Sequence, residues 1–200
     1  MNTPNKLTLA RMIATPIFMA TMLIDFPYHY LVSLILFTAA SLTDMIDGKM
    51  ARKYNLVTDF GKFLDPLADK MLTTSAYLGF MFLFARMQHF GWQMTTIVFI
   101  VLFREFMVSS LRLVTANAGL VVAANIWGKL KTVSQMVGLI AALFFYTLIS
   151  DFGLVALGDV CVPCICNIII IVLFWISAVL CVISGLIYLN ECKGYINSSK

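Results

Sequence analysis

The sequence predicts an all-α integral membrane protein with six transmembrane helices and both termini on the cytosolic side. Three observations predict this: the composition, the spacing of apolar windows, and the placement of basic residues. The chain has 200 residues, of which 61% are hydrophobic and 12% charged, too little polar material to cover a water-soluble globule. Apolar windows run near residues 8 to 25, 29 to 48, 65 to 86, 93 to 115, 127 to 149 and 165 to 189. Each approaches the roughly 20 residues that a bilayer crossing needs. The length allows one domain, residues 1–200.

The first window contains Arg11 and is followed by no small-residue cleavage pattern, so it reads as a retained span beginning near Met1 and not as a secretory signal. Turn-like stretches DFPYHY, RMQHFGW and SDFGLVALGDVCVP alternate with the longer polar segments ARKYNLVTDFGK and TANAGLVVAAN. With the N-terminus placed in the cytosol, Lys6, Arg11, Lys49, Arg52, Lys53, Lys62, Lys70, Arg104, Arg112, Lys129, Lys131, Lys193 and Lys200 fall on cytosolic segments or helix ends. Arg86 alone falls outside, which gives N-in, C-in by the positive-inside rule.

The net charge of +4 forms no basic domain, so a nucleic-acid partner is excluded. Cys161, Cys164 and Cys166 lie in the run CVPCIC, but no second Cys pair or His completes a zinc or iron–sulfur pattern. These thiols are expected to pack near the start of a membrane helix, with a disulfide open to them if the loop faces an oxidising compartment. His29 and His89 fall in outward loops and take no part in catalysis. Trp92, Trp127, Tyr28 and Tyr30 sit near span ends and read as interfacial belt residues.

Half of the ten acidic residues, Asp44, Asp47, Asp59, Asp65 and Asp69, occupy the stretch that closes the second span and opens the third. A carboxylate at membrane depth is costly unless paired, hydrated or bound to a cation, so these residues are functional candidates. Asp44 and Asp47 are three apart and Asp65 and Asp69 four apart, which puts each pair on one helical face. Four converging carboxylates would hold protons unless cations neutralise them. Two divalent ions supply the charge, and oxygen-only ligands select Mg²⁺ or Mn²⁺ over zinc or copper. Two such ions about 4 Å apart can bridge a diphosphate and stabilise charge at a transferring phosphorus. Gly48 removes a side chain where a diphosphate approaches the backbone, and Arg52 offers donors to its oxygens. The competing reading is a structural ion-pair cluster with Arg52, Lys62 and Lys70, but four acids in helical pairs exceed what stability needs.

The pattern Asp44-x2-Asp47-Gly48-x2-Ala51-Arg52-x8-Gly61-x3-Asp65-x3-Asp69 resembles the signature of the CDP-alcohol phosphotransferase family at every fixed position. The resemblance implies that Asp44 and Asp65 bridge two metal ions, that Asp47 holds one, and that Asp69 touches one and acts as general base. It further implies that Gly48, Arg52 and Thr58 contact the CDP part of the donor. PNKLTLAR, residues 4–11, resembles the family's opening segment, with Asn5 and Thr8 lining the nucleotide site. FREFMVSSLRL and GKLKT are similar to bacterial phosphatidylglycerophosphate synthases, a subfamily whose donor is CDP-diacylglycerol and whose acceptor is sn-glycerol 3-phosphate. The likeness runs from Pro4 to about Gln135, and the chain from Met136 onward shows only apolar helices. It implies a homodimer in the bacterial cytoplasmic (inner) membrane, among its lipids, with the active site facing the cytosol.

A phosphorylated acceptor needs fixed cations, and the fourth and fifth spans carry Arg104, Arg112, Lys129 and Lys131. Arg104 and Arg112 are eight apart and project within about 80° of each other. Lys129 and Lys131 point about 160° apart, so one of them faces the cavity, and Lys131 is favoured. All four also fit as positive-inside anchors, and Glu105 reads as an ion-pair partner of Arg104. The expected reaction joins CDP-diacylglycerol and sn-glycerol 3-phosphate into phosphatidylglycerol phosphate and CMP. The alternatives are the same chemistry with inositol phosphate, serine or a phosphatidylglycerol as acceptor, and an ion-binding transporter.

Overall fold

The computed structural model describes residues 3–53, 59–87, 90–117, 126–154, 156–157 and 160–196, with side chains described for 5–44, 64, 66–87, 90–115, 126–154 and 161–192. Its helices are α1 (Thr3–Leu23), α2 (His29–Lys53), α3 (Asp59–Ala85), α4 (Gly91–Asn117), α5 (Ile126–Tyr146) and α6 (Val162–Ile196). A π-helical turn, Thr147–Asp151, follows α5. A two-stranded antiparallel hairpin precedes α6, with β1 (Ala156–Leu157) paired to β2 (Val160–Cys161) in the register Ala156 to Cys161 and Leu157 to Val160. Apart from that hairpin the described residues form helices and short connections.

Among the described residues, Asn5–Leu23, Ile126–Asp151 and Val162–Cys192 are long and apolar enough to cross a membrane, and His29–Asp44 is a shorter apolar helix. Large apolar side chains cover the outside: α4 exposes Phe99, Phe103 and Phe106, and α6 exposes Ile168, Val172, Ile176 and Val179. Aromatic and branched stripes of this extent are stable against lipid and not against water. Helices α2 and α3 outrun the apolar windows, because helical hydrogen bonding continues wherever a polar turn can be solvated. Most of ARKYNLVTDFGK is therefore helical, with residues 54–58 outside the described set.

The chain divides into two compact units, residues 1–82 with 139–166, and residues 83–138 with 167–200. In the first, α1 buries the stripe Asn5, Thr8, Arg11, Thr15, Phe18 and Met22, spaced three or four apart. It packs on α2 through Phe18 and Phe37, whose ring centroids are 5.6 Å apart, and through hydroxyls of Thr21 and Ser33 at 2.8 Å. Gly79 of α3 leaves the room that Met22 fills, since a Cβ there would lie 2.7 Å from Met22 Sδ. Tyr146 at the end of α5 packs against Tyr30 and Phe80, centroids 5.2 and 5.7 Å away.

Two expectations are corrected in this unit. Tyr30 is buried and not an interfacial belt residue, and His29 is buried as the first residue of α2, its Nδ1 3.2 Å from the Thr21 carbonyl. Their rings stack 3.9 Å apart between centroids, so burial takes both away from the interface that their sequence positions suggested. Trp92 and Tyr28 are exposed. His89 lies outside the described residues. Cys161 and Cys164 are exposed free thiols with sulfurs 2.6 Å apart, and only Cys166 of the CVPCIC run is buried. The hairpin holds Cys161 clear of the helix packing expected for it.

In the second unit Met94, Ile97, Val98 and Val101 of α4 and Ile170, Ile171, Phe174, Ala178 and Cys181 of α6 are buried, and Val108 of α4 packs with Tyr188 and Cys192 of α6. Trp175 Nε1 donates to Gln93 Oε1 at 3.2 Å. Gly138 admits the Phe174 ring, which would meet a Cβ there at 3.3 Å.

The start of α2 is capped from a distance: the Leu31 N–H donates to Asp151 Oδ2 at 2.7 Å. A carboxylate at a helix N-terminus satisfies an orphan donor and meets the positive end of the dipole. Asp151→Ala should therefore lower stability by about 1 kcal/mol, read as a lower Tm in detergent. An unchanged Tm would show that water caps α2 equally well.

Candidate active site

Asp44 and Asp47 lie on α2, Asp65 and Asp69 on α3. Asp47 is six residues from the end of α2 at Lys53, and Asp65 is six residues from the start of α3 at Asp59. Each therefore sits about 9 Å from its helix end. Asp44 and Asp69 stand nine and ten residues from the same ends, about 14 and 15 Å. The five residues joining the helices span at most about 20 Å. Asp44 is half-exposed and Asp69 intermediate in exposure. The side chains of Asp47, Gly48, Arg52 and Asp65 fall outside the described residues, as does all of Thr58. Among the described residues no three His, Cys, Asp or Glu side chains cluster.

Arg11 is the residue the sequence reading undervalued. Its side chain is 1% exposed, and Nη1 donates to Asp44 Oδ1 at 2.5 Å while Nε donates to the Ala40 carbonyl at 3.2 Å. A buried guanidinium needs an anionic partner, and Asp44 supplies it. The signal was present in the sequence as an arginine inside an apolar window, which the topology count absorbed. The contacts of Thr21 with Ser33, Phe18 with Phe37 and Arg11 with Asp44 set one antiparallel register for α1 and α2. Both Asn5 and Thr8 are buried.

The donor set suits a hard divalent cation. Asp44 and Asp69 offer oxygen only, and 40% of the Asp44 side chain stays open beside Arg11.

The acceptor-site candidates divide by burial. Arg104 and Lys131 are buried, whereas Arg112 and Lys129 are exposed, Arg112 lying 5.6 Å from the Tyr188 ring centroid. Glu105 sits between the buried cations: Lys131 Nζ donates to Glu105 Oε1, and Arg104 Nη1 lies 3.6 Å from the same oxygen. Arg104 Nη2 donates to Ser184 Oγ at 2.6 Å. Ser184 belongs to the C-terminal third, in which the sequence showed no functional signal.

Residues 1–183 match the family described as CDP-alcohol phosphatidyltransferase. The chain belongs to the CDP-alcohol phosphatidyltransferase family. Three relatives carry the name CDP-diacylglycerol--glycerol-3-phosphate 3-phosphatidyltransferase. One from Bacillus subtilis (strain 168) is 38% identical over 95% of this chain and 94% of its own length. One from Rickettsia bellii (strain RML369-C) is 35% identical over 97% of both chains. One from Salmonella paratyphi A (strain ATCC 9150 / SARB42) is 34% identical over 96% of both. This likeness passes well beyond Gln135, so the family relationship includes the rest of α5 and most of α6, a stretch that by its own residues shows only apolar helices.

For this CDP-alcohol phosphatidyltransferase the Arg11 pair makes a stability test. Asp44→Asn strands a buried guanidinium and should cost about 2 kcal/mol, whereas Asp44→Glu keeps the anion and should cost less. Thermal unfolding of both variants in detergent measures the difference. Equal Tm values would show that Arg11 does not depend on the charge at position 44.

Proposed function

We propose that the protein transfers a phosphatidyl group from CDP-diacylglycerol to sn-glycerol 3-phosphate, giving phosphatidylglycerol phosphate and CMP. What carries the reading is that the three relatives above, matched over nearly their whole length, bear this one activity in their names, and that the chain holds every fixed position of the aspartate signature.

In this reading α2 and α3 form an antiparallel hairpin in which Asp44 stands level with Asp69 and Asp47 level with Asp65. The equal distances of Asp47 and Asp65 from their helix ends, and the nearly equal ones of Asp44 and Asp69, support it. The four carboxylates hold two Mg²⁺ or Mn²⁺ ions, which supply charge stabilisation at the diphosphate. Arg11 keeps Asp44 oriented by a charge-assisted hydrogen bond. Gly48, Arg52 and Thr58 contact the CDP group, with Asn5 and Thr8 of the buried α1 stripe beside them. Asp69 accepts the proton of the acceptor hydroxyl as that oxygen attacks the phosphorus bonded to diacylglycerol, and CMP leaves with the bond that breaks. Arg104 and Lys131 bind the acceptor phosphate, with Arg112 and Lys129 as outlying cations. The whole chain acts as one multi-pass domain of six spans, N-in and C-in, homodimeric in a bacterial cytoplasmic membrane with its active site facing the cytosol.

Purified protein given CDP-diacylglycerol and sn-glycerol 3-phosphate should release CMP, and a chelator should stop it. Asp69→Asn should keep the helical circular dichroism and lose about 100-fold or more of turnover. Release of CMP only with inositol phosphate or serine would reassign the acceptor, and full turnover by Asp69→Asn would remove the base.

Orientation has its own test. The Cys164 hydrogen bond holds the Cys161 thiol below the ordinary thiol value, so more thiolate is present at neutral pH. A membrane-impermeant maleimide applied to intact cells at neutral pH should label Cys161 if the hairpin faces outward. Labelling only after permeabilisation would reverse the topology.

A further inference from the structure

Arg104 stands 13 residues from either end of α4, about 20 Å from each, which corrects its expected place at a cytosolic helix end; at mid-helix an apolar helix tolerates a cation only for function or in a tight pair. Its side chain is 11% exposed. Two buried cations, Arg104 and Lys131, share the carboxylate of Glu105, which among the described residues leaves one positive charge of the cluster unanswered. Arg104 Nε is buried and donates to no group among the described residues. A buried N–H left unspent beside an excess positive charge is arranged for an anion.

The side chain is held in that place from α6. Ser184 Oγ accepts from Nη2, and Gly185 leaves the space that the Arg104 stem occupies, since a Cβ at 185 would lie 3.3 Å from both Arg104 Cγ and Met107 Cε. Serine followed by glycine thus supplies one acceptor for the guanidinium and one gap for its methylenes. Neither group has a charge of its own, so their effect runs through Arg104.

We propose that Ser184 and Gly185 are positioning residues that set Arg104 for the phosphate of the acceptor. This rests on the reading of Arg104 and Lys131 as acceptor-phosphate ligands. Without the Ser184 hydroxyl the guanidinium is free to turn toward Glu105, and its donors no longer match a phosphate monoester.

The test uses the full-length protein in detergent. Ser184→Ala should raise KM for sn-glycerol 3-phosphate by about 10-fold, the scale of one hydrogen bond to a charged group, with KM for CDP-diacylglycerol and kcat at saturating acceptor unchanged. Ser184→Thr keeps the hydroxyl and should restore the acceptor KM to within about 2-fold of wild type. Gly185→Ala presses on the Arg104 stem and should raise the acceptor KM independently, which keeps the proposal open to refutation if Ser184→Ala folds poorly. As a second readout, sn-glycerol 3-phosphate should raise the wild-type Tm, and Ser184→Ala should need about 10-fold more of it for the same rise. Unchanged acceptor KM in the Ser184 and Gly185 variants, or a rise shared equally by both substrates, overturns the positioning role. A wild type that neither uses sn-glycerol 3-phosphate nor is stabilised by it overturns the acceptor reading, and this proposal with it.

Discussion

Charge held among apolar helices governs this protein. A guanidinium or carboxylate removed from water costs several kcal/mol unless it is answered within hydrogen-bonding reach. Much of it is met by contacts across helices: Arg11 of α1 with Asp44 of α2, Lys131 of α5 with Glu105 of α4, and Arg104 of α4 with Ser184 of α6. Each pairing ties helices of its own unit at a defined register, so the charged positions also organise the packing. In the first unit the Arg11 contact falls in line with Thr21 on Ser33 and Phe18 on Phe37, and the apolar and polar parts of α1 obey one alignment.

That alignment links packing to chemistry. The buried stripe of α1 is apolar at Phe18 and Met22 and becomes polar at Thr15, Arg11, Thr8 and Asn5. The change falls where α2 passes from its apolar portion into the aspartate-bearing turns. Buried polar side chains along such a seam are costly in a core that only has to be stable. Phe99, Phe103, Ile168 and Val172 are exposed, a surface suited to lipid and not to water.

The structure departs from a residue-by-residue reading where burial is decided by a neighbour far away in sequence. His29 and Tyr30 lie in a stretch that reads as an outward turn, yet Tyr146 and the Thr21 carbonyl close over them. Cys161 reads as a thiol packed near a membrane helix, yet pairing with Ala156 places it on a hairpin with its side chain exposed. Lys131 and Lys129 differ by two positions and so point to different sides of α5: Lys131 is buried and Lys129 exposed.

By itself the sequence determined the helical class, the helix windows to within several residues, the family, and the aspartate spacing that makes each pair share a face. These are local properties, because hydropathy and a period of about 3.6 residues are written in consecutive positions. Only the tertiary structure decided that Arg11 belongs to Asp44, that Asp151 caps α2, and that Ser184 and Gly185 hold Arg104. Those contacts join residues 33, 120 and 80 positions apart, and no periodicity encodes which side chain of one helix meets which side chain of another.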